Sequence, residues 1–322
     1  MSTAKYAILG AIIGDAAGTT FEFMIASKAK TKLANYHNLK NGLVGLGPFD
    51  VQPGQFTDDT EMALAIMSII KSTGSYDQKL VAKAYYQWYL SNPPDIGRTT
   101  SNAVSKESAS EMINVAKTLN IESLSNGFLM RLFGLVALYT NKSREELLRA
   151  IVLDVKLTHG HPETSYIAMI YGTMLDAAIR GQDATNVYLI GKHYCNTSEL
   201  IKTIYHAVDN SQNYFNYNYY QYKLSDVDNK FIGFVGYAFW LLLLSLKNHK
   251  SYETAILDII SRGGDTDTNA CIVGAVIGAI YPNTIPKSWI QSVTSFNAEK
   301  RFQRYPIANP KIWTKWLVNI KD

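Results

Sequence analysis

Apolar residues recur along most of this chain at helical rather than strand spacing. Met62, Ile66, Ile69 and Ile70 fall on one face of the segment after an acidic cluster, which predicts an amphipathic helix. Ser143 and Glu146 have capping-box spacing ahead of Leu147, Leu148, Ile151 and Val155. Pro162 suits the first turn of a helix that Gly181 ends. Further helices are predicted over 76–90, 102–117, 128–140, 183–194, 198–208, 231–247, 252–261 and 269–281. The pattern predicts an all-α fold. In the last of these helices Gly274, Ala275, Gly278 and Ala279 lie on adjoining turns, so a neighbouring helix can approach closely and this helix is expected to be central. No repeat period is present.

Two apolar runs need weighing as membrane segments. Tyr6 to Ile13 has the length of a signal-peptide core, but Asp15 and Glu22 interrupt the residues just after it and a single lysine precedes it. Phe231 to Leu246 falls short of the roughly 18 residues that mark a spanning helix. Both are expected to be buried helices. Residues 210–222 are almost wholly Asn, Gln, Ser, Tyr and Phe, and are expected to form a long surface loop.

Composition adds bounds. With 322 residues, 47% of them hydrophobic, the chain can bury one large core or two smaller ones. A net charge of +4, with lysine and arginine scattered, leaves no nucleic-acid footprint. Cys195 and Cys271 offer neither a disulfide framework nor a CxxC site, which fits a reducing, cytoplasmic setting.

The candidate chemistry lies in two distant clusters, Thr57-Asp58-Asp59-Thr60 and Gly263-Gly264-Asp265-Thr266-Asp267-Thr268, each running into an apolar helical stretch. Four carboxylates gathered on one core face would repel one another unless a bound cation neutralised them. The donors are all oxygen, which disfavours zinc or copper and favours magnesium, manganese or calcium. The alternative is helix capping, with Asp58 and Glu61 spaced as a capping box. A cap uses one side chain, and the paired clusters exceed that need.

Taken in order, GAIIGDAAGTTFEF at 10–23, PGQFTDDTEMALAI at 53–66, PPDIGRTT at 93–100, SNGFLMR at 125–131, LTHGHP at 157–162 and RGGDTDTNACIVGAVIGA at 262–279 resemble the ADP-ribosylglycohydrolase family. The resemblance is strongest to the branch that removes ADP-ribose from arginine. It implies a compact all-α single domain over 1–322 with a binuclear Mg2+ or Mn2+ centre in a cleft. Thr57, Asp58, Asp59, Asp265, Asp267 and Thr268 match the family's metal ligands. Glu22 matches a glutamate near the metals on a mobile flap, and Asp95 matches the aspartate at the reacting ribose; either is a candidate base. Ser125, Asn126, Gly127 and Met130 fall in the segment facing the diphosphate, where a glycine turn opening a helix would offer free N–H groups. His159 matches a cleft histidine, while His161 is expected to be structural. Phe234 stands where relatives carry an adenine-stacking aromatic.

The expected partners are an ADP-ribosylated protein and ADP-ribose, with no membrane and with nucleic acid only as a modified substrate. The protein is expected to be a monomer. Asp95 points to the arginine N-glycosidic bond; the alternatives are serine-linked ADP-ribose, O-acetyl-ADP-ribose, ADP-ribosylated bases, or a non-catalytic ADP-ribose-binding relative.

Overall fold

The apolar segments fold as helices in the computed structural model, which describes residues 3–36, 39–228, 231–318 and 320. Among these residues there are 17 α-helices and a single two-stranded sheet. The architecture is all-α, as the periodicity predicts.

Two helices form its centre. Thr3–Gly18 and Thr266–Ile280 are buried along nearly their whole length and pack directly on each other. Glycine makes that approach possible. A Cβ on Gly10 would stand 2.2 Å from the Gly274 carbonyl oxygen, and one on Gly14 would stand 2.2 Å from that of Ala270. Both are far inside van der Waals contact, so even alanine would push the helices apart. The glycine stripe expected to make 269–281 central therefore has its partner in the N-terminal run. This pairing brings Asp15 beside the start of the second helix, where Asp267 lies.

The capping box at Ser143–Glu146 is present, and Pro162 opens the helix Pro162–Ile179. The expected helix over 102–117 is two, Arg98–Val104 and Ala109–Thr118, and that over 231–247 begins later, as Val235–Lys247. Three helices near the C-terminus, Lys287–Ser295, Glu299–Arg304 and Pro310–Val318, are not foreseen by the sequence pattern.

Residues 210–222 correct an expectation. In place of a loop they contain most of an antiparallel hairpin, Tyr214–Tyr217 paired with Tyr220–Lys223. Phe215, Tyr217 and Tyr222 are buried while Asn216 is exposed, the alternation of a half-buried sheet. Asn218 and Tyr219 both have positive φ, as a two-residue hairpin turn with the right twist requires. No helix among the described residues is long and apolar enough to cross a membrane. Both cysteines are buried and free.

Candidate active site and metal centre

A residue that local sequence patterns do not single out organises the first cluster. Asp15, fully buried on the helix Thr3–Gly18, accepts four hydrogen bonds from the start of the helix Asp58–Thr73. Its Oδ1 takes the Thr57 N–H and hydroxyl, each at 2.9 Å. Its Oδ2 takes the Thr60 N–H at 3.0 Å and hydroxyl at 2.6 Å. The two N–H groups are the kind of orphan donor a helix N-terminus leaves, here satisfied by a carboxylate from another helix. Burial pushes the Asp15 carboxyl up to about 6, against the pull of those hydrogen bonds.

The capping reading of Asp58 and Glu61 fails for that reason. Thr57 at the N-cap position makes no side-chain cap, and Glu61 turns away to Arg301 and Trp88. Neither Asp58 nor Asp59 caps the helix.

The second cluster is built on a turn of two glycines. Gly263 and Gly264 have φ of +70° and +76°, and a Cβ on either would strike backbone oxygen, of Met24 at 2.1 Å and Val227 at 2.3 Å. Gly264 donates its N–H to Met24 O at 2.9 Å, and Phe23 donates to Gly264 O at 2.8 Å. The segment carrying Glu22 is thereby fastened to the one carrying Asp265. Asp265 occupies the N-cap position of Thr266–Ile280 without capping it, and its Oδ2 accepts from Asn126 Nδ2 at 2.8 Å.

Carboxylate oxygens of Asp15, Asp59 and Asp267 lie within 4.8 Å of one another, and so do those of Glu22, Asp265 and Asp267. Asp267 belongs to both groups. Glu22 Oε2, Asp59 Oδ1 and Asp267 Oδ2 are buried with no hydrogen-bond partner among the described residues. Burial drives the Asp58, Asp59 and Asp267 carboxyls well above the usual range, and the charges of their neighbours add to it. Three unpartnered buried acceptors in two adjoining groups fit hard divalent cations, which relieve both the desolvation and the repulsion. The Thr57 hydroxyl donates to Asp15 and keeps a lone pair with which it can accept or ligate.

Beside these groups opens a cleft of about 280 Å³. Glu22, Asp58, Asp95, Asp265 and Thr268 line one part, and Ser125, Asn126, Gly127 and Met130 another. Asp95 follows Pro93 and Pro94 and hydrogen-bonds Asp58. Burial raises its carboxyl to about 6 and that of Glu22 to about 9, where the charges of Asp95 and Asp265 contribute.

Three expectations shift in detail. Ser125-Asn126-Gly127 leads into a short 3-10 turn, Asn126–Phe128, and the α-helix starts at Leu132. The Asn126 N–H is donated to Gly233 O at 2.8 Å, so it is not free for an anion. His159 is buried behind the cleft wall, with Nε2 at 2.8 Å from Ser125 Oγ, and does not line the cleft. Phe234 also stands behind the wall, stacked on Tyr222 at 4.5 Å and 17°, while Ile232 and Gly233 just before it face the opening. His161 accepts the Glu163 N–H at its Nδ1, a helix cap that fits its expected structural role. The remaining predicted residues meet at this one place.

Comparison with known proteins agrees with the geometry. The ADP-ribosylglycohydrolase family model matches residues 1–315. A provisionally named ADP-ribosyl glycohydrolase of Acanthamoeba polyphaga mimivirus is 52% identical, covering 98% of this chain and 97% of its own. An ADP-ribosylarginine hydrolase of Serratia proteamaculans is 28% identical over 91% of this chain and 75% of its own. Among solved structures, an ADP-ribosylglycohydrolase-related protein complex superposes with a TM-score of 0.69 at 22% identity, covering 97% of each chain, a likeness of fold.

Proposed function

The chain belongs to the ADP-ribosylglycohydrolase family, and we propose that it is a hydrolase using two divalent cations to cleave the N-glycosidic bond between ADP-ribose and an arginine side chain. The observation that carries this reading is the sharing of Asp267 between two buried carboxylate groups with unpartnered oxygens, beside a cleft walled by hydroxyl and amide groups. Arginine as the leaving group fits the charge of that cleft. Asp95, the cleft carboxylate outside the proposed cation ligands, complements a guanidinium. The relative named as an ADP-ribosylarginine hydrolase supports the same choice.

Thr57, Asp58, Asp59, Asp265, Asp267 and Thr268, with Asp15 and Glu22 beside them, would hold magnesium or manganese. When bound, these cations supply positive charge that holds ribose hydroxyls and makes water more acidic. The rest falls to side chains. Glu22 sits within the Asp265–Asp267 group, so its carboxylate is committed to cation or substrate positioning. Asp95 is then the base, held on a turn that two prolines stiffen. It takes a proton from water as the oxygen bonds to the anomeric carbon and the bond to the guanidine nitrogen breaks. That proton passes to the departing nitrogen, whose basicity draws it. The developing positive charge on the ribose faces Asp58 and Asp265.

A panel of arginine-, serine- and base-linked ADP-ribose, with and without magnesium, tests the assignment by mass spectrometry. Free ADP-ribose should form fastest from the arginine conjugate and only with the cation. Faster release from serine would overturn the arginine reading.

A further inference from the structure

An unbroken line of hydrogen bonds runs from the interior to the cleft wall. Arg131, fully buried, donates from Nε to Asp154 Oδ2 at 2.7 Å and from Nη2 to Thr158 Oγ1 at 2.9 Å. Thr158 Oγ1 lies 2.8 Å from His159 Nδ1, and His159 Nε2 lies 2.8 Å from Ser125 Oγ. Ser125 lines the cleft.

The first link fixes the direction of the others. A guanidinium has donors and no acceptor, so Thr158 Oγ1 must accept from Arg131. Thr158 is itself fully buried, and its hydroxyl proton needs an acceptor. Among its hydrogen-bond partners His159 Nδ1 is the one able to accept. A neutral imidazole whose Nδ1 accepts carries its proton on Nε2, which is then donated to Ser125 Oγ. Ser123 Oγ adds a second, longer donation to the same oxygen at 3.3 Å. The Ser125 hydroxyl proton is left to point into the cleft.

Two features hold this order in place. Asp154 also accepts from the Tyr85 hydroxyl at 2.8 Å and that of Tyr76 at 3.2 Å, so the anchor of Arg131 is itself fixed. Burial, with the Arg131 charge second, keeps the His159 ring neutral. An imidazolium would donate from both nitrogens and break the sequence.

We propose that Arg131 and Thr158 are positioning residues that hold His159 as its Nε2–H tautomer and so present Ser125 as a hydrogen-bond donor to an anionic oxygen of the ligand, of the kind a diphosphate carries. The choice of ligand rests on the functional reading above. The tautomer rests on the hydrogen bonds and the neutral ring.

Nitrogen-15 NMR of the histidine side chains, combined with ADP-ribose titration, tests both parts. Loss of a signal in His159→Gln assigns it. In wild-type protein His159 should show a protonated Nε2 and an accepting Nδ1. Thr158→Val removes the hydroxyl that pins Nδ1 as an acceptor and should leave the ring a mixture of both tautomers, with ADP-ribose bound on the order of tenfold more weakly. Thr158→Ser restores the hydroxyl and should restore both tautomer and affinity, which separates the relay from a packing effect. In a Ser125→Ala background the valine substitution should cost little further affinity. A wild-type His159 protonated at Nδ1, or an unchanged tautomer in Thr158→Val, would overturn the proposal. If wild-type protein shows the expected tautomer but binds no ADP-ribose, the functional reading falls and the relay stands.

Discussion

Arg301 grips Glu61 through the Nε–Nη2 edge of its guanidinium, with Nε donating to Oε1 at 2.7 Å and Nη2 to Oε2, and the pair is almost wholly buried. Glu61 lies one turn along the helix that Asp58 begins. The same guanidinium donates from Nη1 to Ser91 O at 2.9 Å, just ahead of the turn that carries Asp95. One C-terminal arginine thus ties together the two segments that supply Asp58 and Asp95.

Replacing that arginine should be expensive. Arg301→Met leaves a buried carboxylate uncompensated and should destabilise the protein by about 3–5 kcal/mol, read from urea unfolding. Adding Glu61→Leu should recover most of the loss. A cost for Arg301→Met below about 1 kcal/mol would show that the pair contributes little.

Asp267→Asn should separate metal binding from folding. It keeps the side-chain shape while removing one of the repelling charges, so metal-free protein should melt at a higher temperature than wild type. Turnover should fall by more than about 100-fold, since even residues supporting metal ligands cost about 10–100-fold. Near-wild-type turnover at saturating magnesium would refute its role as a shared ligand.

Asp95→Ala should lower kcat by about 10²–10⁴-fold while changing ADP-ribose affinity little, as loss of a base does. Glu22→Gln should instead weaken cation binding measured by calorimetry, because its carboxylate sits with Asp265 and Asp267. The reverse pattern would exchange the two roles.

Metal-free protein should lose stability as pH rises. The Glu22 carboxyl stands at about 9 in the folded chain against an ordinary 4.5, so the folded state holds a proton the unfolded chain gives up above pH 4.5. Its contribution falls through that window and levels off above pH 9. Melting temperatures recorded from about pH 6.5 to 9 without metal should decline. A rise over the same range would contradict the burial of Glu22 among carboxylates.

The clusters at 57–60 and 265–268 are legible in the sequence because each is local and stands out against apolar surroundings. Asp15 is not, because its partners lie 42 and 45 residues away and a lone acid in an apolar run reads as an interruption. Arg301 is 240 residues from Glu61, beyond any local pattern. The hairpin is hidden for another reason. Its tyrosines do not sort by burial, since Tyr217 and Tyr222 are buried while Tyr220, opposite Tyr217 on the same face, and Tyr219 in the turn are exposed, so composition obscures the alternation. His159 and Phe234 fall on matching sequence segments, yet only backbone placement shows that each stands behind the cleft wall, supporting the residues that face it.

Anomalous diffraction from manganese-soaked crystals tests the central claim most directly. Two peaks should flank the Asp267 carboxylate, one beside Asp59 and the other beside Asp265 and Glu22. No anomalous density among these carboxylates would contradict the two-cation centre and the hydrolysis built on it.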